Sequence, residues 1–141
     1  MKHKKALIVD DSRTDAYLCA KVAQSYFGEV MVVGTPQELN EALRTFKPDI
    51  LFLDVHIGSM HNGIGLIHEF RHRDDDTSIL PMVVTTSAGD DATRDLASRS
   101  GASGFIQKPV TAEAMEPLIK EHVAMYPGKP DKPGAIISKM F

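Results

Sequence analysis

Only one of the 141 residues is a cysteine, so no intrachain disulfide can form, and Cys19 suits a reducing compartment. No stretch approaches the roughly 18–20 consecutive apolar residues of a membrane-spanning helix. The N-terminus has no apolar signal-like segment, because Lys4 and Lys5 lead straight into a short strand-like run and then acids. Charge of one sign is also lacking. A formal net charge of −3 gives no pull toward nucleic acid or anionic lipid. No internal repeat recurs at the 20–50-residue scale. Together these absences predict a soluble cytoplasmic domain with no direct nucleic-acid or membrane contact. An apolar content of 43% and a charged content of 25% are ordinary for one globular domain that needs no staples.

What the chain does have is a set of apolar runs that end in reactive residues. Ala6-Leu7-Ile8-Val9 runs into Asp10-Asp11, and Ile50-Leu51-Phe52-Leu53 into Asp54. Met82-Val83-Val84 ends in Thr85-Thr86-Ser87, and Gly104-Phe105-Ile106-Gln107 in Lys108-Pro109. Strands are expected near 5–10, 30–34, 49–54, 81–86 and 104–107. Helices are expected near 14–27, 36–46, 64–73, 90–100 and 112–126, with Pro117 kinking the last or delaying its start. Strands alternating with helices predict an α/β fold whose parallel strands are joined by crossover helices. The runs at 6–9 and 50–53 are apolar throughout, as in central strands covered on both faces. The run at 30–34 carries no chemistry at its end, as an edge strand could. After Tyr126 the segment Pro127-Gly128-Lys129-Pro130-Asp131-Lys132-Pro133-Gly134 reads as a flexible tether before a short apolar Ala135-Ile136-Ile137.

Ligands bind parallel sheets at the carboxyl ends of the strands. Three carboxylates, an ammonium and a hydroxyl should therefore meet at one edge. Mg²⁺ or Mn²⁺ prefers such hard oxygen ligands, whereas Zn²⁺ does not. Three clustered acids repel one another, and a bound cation removes that penalty. Asp54 could then act as a nucleophile that forms an acyl phosphate, with the cation and Lys108 offsetting the charge. The plainer alternative is local: Asp11 or Ser12 caps the first helix, Asp54 opens a loop, and Lys108-Pro109 is a turn.

This ordered set resembles the receiver domain of two-component response regulators, the CheY-like family, over about residues 4–126. The resemblance implies a doubly wound, five-stranded parallel sheet in the order 2-1-3-4-5, as in flavodoxin. It implies that Asp54 is the phosphoacceptor, and that Asp11, Asp54 and the backbone carbonyl of His56 ligate Mg²⁺, with Asp10 acting through water. Lys108 would contact the phosphoryl group, Thr86 would be the switch hydroxyl, and Phe105 the switch aromatic. The implied role is a signalling phosphoacceptor that assists its own phosphorylation and dephosphorylation, not an enzyme. A histidine kinase or histidine phosphotransfer protein would supply the phosphoryl group. A downstream protein would read the changed face near 90–100 and 104–126, the face through which receivers often form homodimers. Residues 127–141 would be a tail or a truncated linker. Where many members carry Met-Pro, this chain has Ile57-Gly58, which implies a more pliable loop.

Two rival classes remain on the sequence. One is an adaptor that keeps the fold and signals without phosphorylation. The other is an aspartyl-phosphate hydrolase, whose usual second acid two residues after the nucleophile is replaced here by His56. His68-Glu69-Phe70-Arg71-His72 matches the H-E-x-x-H zinc-protease pattern. Ile64, Ile67 and Phe70 already mark a core stripe on that helix, so the histidines read as a solvated face.

Overall fold

A computed structural model describes residues 3–57, 61–87 and 89–140. The chain runs β1 (Lys5–Val9), α1 (Arg13–Ala23), β2 (Glu29–Val33), α2 (Pro36–Thr45) and β3 (Ile50–Asp54). The two-residue strands β4 (His56–Ile57) and β5 (His61–Asn62) follow, then α3 (Gly63–Arg71) and a 3₁₀ turn (Asp76–Ile79). The remainder is β6 (Met82–Thr86), α4 (Asp91–Arg99), β7 (Gly104–Gln107), α5 (Ala112–His122) and β8 (Ala135–Ser138).

Helix starts follow side-chain chemistry. Ser12, Thr35, Asn62, Asp90 and Thr111 each accept a hydrogen bond from a backbone N–H in the first turn of α1 to α5. Pro36 stands at the start of α2, where its missing N–H costs nothing. Pro117 neither delays nor ends α5, which begins at Ala112 and continues through it.

Six strands form one sheet in the order β7-β6-β3-β1-β2-β8, and every pair within it is parallel. The predicted five-strand order is present as β2-β1-β3-β6-β7. The difference lies in the tail. Residues 127–134 form no helix or strand, but the apolar run after them is β8, which pairs with β2 in the register Val30↔Ile136 and so removes β2 from the edge. Gly134 makes this approach: a Cβ there would lie 1.9 Å from the Phe27 carbonyl oxygen. Its N–H donates to Gln24 O at 2.7 Å, while Lys139 N donates to Val32 O at the far end. Ile136 and Met140 pack against the core beneath, and the Tyr126 hydroxyl donates to Tyr26 O.

Strand alternation splits the core into two layers. Ala6, Ile8, Phe52, Val83 and Ile106 pack with Ala16, Cys19 and Ala20 of α1 and Met115 and Ile119 of α5. Leu7, Val9, Leu51, Leu53 and Val84 pack with Leu39 of α2, Ile67 and Phe70 of α3 and Ala97 of α4. Cys19 is buried and burial pushes its thiol up to about 12, so it stays a neutral packing group. No helix among the described residues is long and apolar enough to cross a membrane.

Candidate functional site

Alternation carries Asp10, one residue past Val9, to the face covered by α1 and α5, and it carries Asp54 to the same face. Asp10 is 2% exposed; its carboxylate accepts from Ser12 N at 2.9 Å, and its own N–H donates to Val33 O. Ser12, not Asp11, caps α1, its hydroxyl accepting from Asp15 N. Asp11 is thereby left to the exposed rim of the strand ends. Capping therefore accounts for Ser12 and leaves both acids to the cluster.

Asp54 closes β3 and is 6% exposed. The chain beyond it is tightly tied: Val55 N donates to Thr85 O, and Gly63 N donates to Val55 O at 2.6 Å. A Cβ on Gly63 would lie 2.1 Å from the Asp54 carbonyl oxygen, so only glycine permits this crossing. The antiparallel β4–β5 pair, His56↔Asn62 and Ile57↔His61, holds the two ends of the connection together. The loop at Gly58, which the sequence predicts to be pliable, lies outside the described residues.

Lys108 follows β7, its N–H donating to Thr86 O at 2.7 Å, and it precedes Pro109 through a cis peptide bond. Its ammonium is 2.7 Å from Asp10 Oδ2, 3.0 Å from Asp15 Oδ2 and 3.3 Å from Asp54 Oδ1. Burial would lower its pKa, but the hydrogen bonds to Asp10 and Asp15 and the charges of Asp10 and Asp54 outweigh it and hold the group cationic. Burial and the neighbouring Asp10 charge push Asp54 up to about 6, against the Lys108 ammonium and a hydrogen bond from His56 N–H. Asp10 is also raised, by burial, against its bonds to Lys108 and Ser12.

Carboxylate oxygens of Asp10, Asp11 and Asp54 all lie within 4.8 Å of one another. An all-oxygen, anionic set of this size suits Mg²⁺ or Mn²⁺. Thr85 pairs with Asp54 across the β3–β6 ladder, and Thr86 follows, 1% exposed. Phe105 is half-buried against the layer of Leu7, Val9, Leu53 and Val84, with the Arg94 guanidinium 4.6 Å from its ring centre. His56 sits in β4 with an exposed side chain, just past Asp54. Asp15 and Gly63 escape the sequence reading. The signal for Asp15 is its position one helical turn past Asp11, and that for Gly63 is the Asn62-Gly63 pair nine residues after Asp54. His68 of α3 and His72, which caps the helix's C-terminus, are both exposed, their ring centres 4.6 Å apart and His72 Nδ1 bonded to the His68 carbonyl. The acidic trio is the one metal-ligating group of three among the described residues, so this pair lacks the third ligand of a zinc protease.

The model of the response regulator receiver domain matches residues 6–120. PilH of Pseudomonas aeruginosa is 25% identical over 111 residues, 79% of this chain and 90% of that protein. The DNA-binding response regulator MtrA of Mycobacterium tuberculosis is 29% identical over 106 residues, 75% of this chain but only 44% of MtrA. Among solved structures, one of a putative response regulator from Chloroflexus aurantiacus superposes with a TM-score of 0.79 at 26% identity, covering 87% of this chain and 99% of that one. The BeF₃-activated N-terminal receiver domain of Klebsiella pneumoniae RstA shares the fold, with a TM-score of 0.73 at 23% identity over 85% of this chain and 98% of that one.

Proposed function

Because the chain belongs to the response regulator receiver domain family of two-component signalling, we propose that Asp54 is its phosphoacceptor. The carrying observation is one buried carboxylate that faces both an acidic cation site and an ammonium 3.3 Å away. A carboxylate oxygen of Asp54 attacks the phosphorus of a phosphohistidine. The P–O bond forms as the P–N bond breaks, and the imidazole leaves with the electron pair and takes up a proton.

Receiver domains bind Mg²⁺ at an acidic pocket, and here Asp11 and Asp54 would hold the ion directly, with the His56 carbonyl, while Asp10 would act through water. Bound there, Mg²⁺ offsets charge on the transferring group. Lys108 orients the Asp54 carboxylate and meets the incoming phosphoryl oxygens. The strand end at Thr86 supplies the switch hydroxyl, and Phe105 responds through packing, since it has no hydroxyl of its own. Response regulators work between histidine kinases and downstream effectors. For this chain the donor is a histidine kinase or histidine phosphotransfer protein, the reading face is α4, β7 and α5, and the setting is the cytoplasm. We assign the phosphoacceptor unit to residues 4–126, with residues 127–141 an appended segment.

Intact mass after incubation with acetyl phosphate tests this. A Mg²⁺-dependent gain of about 80 Da, one phosphoryl group, absent in Asp54→Asn, is the expected result. No gain with either acetyl phosphate or a phosphorylated kinase would instead support an adaptor that signals without phosphorylation.

A further inference from the structure

Asp15 is the acid that neither the cation site nor the phosphoacceptor role uses. It lies in the first turn of α1, its side chain is 40% exposed, and it stands outside the trio that could hold a metal. Yet it is closer to the Lys108 ammonium than Asp54 is, at 3.0 Å against 3.3 Å. An ammonium has three donors and no more. Asp10, just past β1, takes one at 2.7 Å and Asp15, on α1, a second at 3.0 Å, which leaves one donor for the Asp54 side of the site.

We infer that Asp15 is a positioning residue that holds the Lys108 ammonium in a resting place on α1 and so sets the equilibrium against the phosphorylated state. The inference rests on the receiver reading and deepens it. A phosphoryl group brings about −1.5 to −2 of charge and three acceptor oxygens. To give them more than the one donor that Asp10 and Asp15 leave over, Lys108 must share or surrender the Asp15 bond. The Asp15 carboxylate also repels the new charge directly. Both effects have the same sign, so neutralising Asp15 favours the occupied site. The strand-end residues make the site work, and Asp15 limits how far it stays filled.

The test is beryllofluoride, a phosphoryl analogue, titrated by calorimetry at saturating Mg²⁺ into the full chain, Asp15→Asn and Asp15→Glu. Asp15→Asn should bind about three- to tenfold more tightly, the range of one partly exposed, charge-assisted contact. Asp15→Glu keeps the charge and should stay within about twofold of the parent. A role confined to supporting α1 would change the unfolding midpoint and leave this affinity alone. Equal or weaker binding by Asp15→Asn, or the same shift in both variants, would overturn the inference. If the parent chain itself takes up no beryllofluoride, the receiver reading fails first, and that outcome is distinct from a parent that binds and an Asp15→Asn that matches it.

Discussion

Replacing Asp54 by Asn should make the metal-free protein more stable, not less. In the unfolded chain this carboxyl titrates near 3.8, and in the fold it is pushed up to about 6 by burial and by the Asp10 charge. Between those values the folded state holds a proton that the unfolded state has released. Stability from this group is therefore fully present below pH 3.8 and is lost as pH rises through about 6. The rise from 3.8 to about 6 corresponds to roughly 3 kcal/mol, at about 1.36 kcal/mol for each tenfold in proton affinity. Screening at the site's rim and the freedom of Lys108 to turn fully to Asp10 bring the expected gain for Asp54→Asn to about 1–2 kcal/mol above pH 7. For a chain of this size that is an unfolding midpoint about 3–8 °C higher. The assay is thermal and urea unfolding of both proteins in chelator at pH 4, 6 and 8. The difference should be largest at pH 8 and should vanish near pH 4. Saturating Mg²⁺ should narrow it at pH 8, since the cation binds the folded parent and removes the repulsion. A variant less stable than the parent at pH 8, or a difference that does not change with pH, would show that the fold does not disfavour the ionised Asp54 carboxylate.

Away from the site, Arg71→Met should destabilise the fold by about 2–4 kcal/mol. The Arg71 guanidinium donates to the carbonyls of Gly101, Ser78 and Leu80 and to Ser103 Oγ, tying α3 to the 3₁₀ turn and to the start of β7. A urea midpoint unchanged within error would show that water replaces these bonds freely. Gly134→Val should detach β8, because its Cβ has no room beside the Phe27 carbonyl. Hydrogen exchange at Lys139 N–H should then quicken by tenfold or more, a fold-change of about 1.4 kcal/mol in local opening, while uptake from acetyl phosphate persists. Loss of that uptake would mean the added strand belongs to the phosphoacceptor unit.

What the sequence made legible was whatever is local and periodic. The apolar runs at 6–9 and 50–53 announced central strands, and the residue that ends each run announced the site, because strand ends in a parallel sheet share an edge. Contacts between distant segments that no strand end marks were not legible. Asp15 has the pattern of any first-turn acid on a helix, and only the reach of Lys108, 93 residues later, gives it another part. Gly63 looks like half of an Asn-Gly turn until the Asp54 carbonyl is seen beneath it. The tail misled for a similar reason. Its prolines and glycines do exclude regular structure through 134, but the next four residues gain a ladder partner only once β2 lies open beside them.

Topology explains why these residue types, and not others, occupy the strand ends. The order turns at β1, with β2 on one side and β3 on the other, and crevices form at such a switch point. In the register Val9↔Leu53, the next residue on each strand is an aspartate, so Asp10 and Asp54 stand level on adjacent strands. Two buried carboxylates about 5 Å apart need a cation, and the sheet decides where one can come from. β6 intervenes between β3 and β7, so a side chain that follows β7 must reach across roughly 10 Å. A long, unbranched lysine does so, passing the end of β6 where its N–H is tied to Thr86 O. No residue of β6 itself is charged, and both of its last two are small hydroxyl residues that let the ammonium pass. The ammonium that arrives is a single cation shared among three acids, Asp10 just past β1, Asp15 on α1 and Asp54 on β3. A phosphoryl group on Asp54, as proposed above, would compete for it, and that competition would link chemistry at β3 to the strand and loops that carry Lys108.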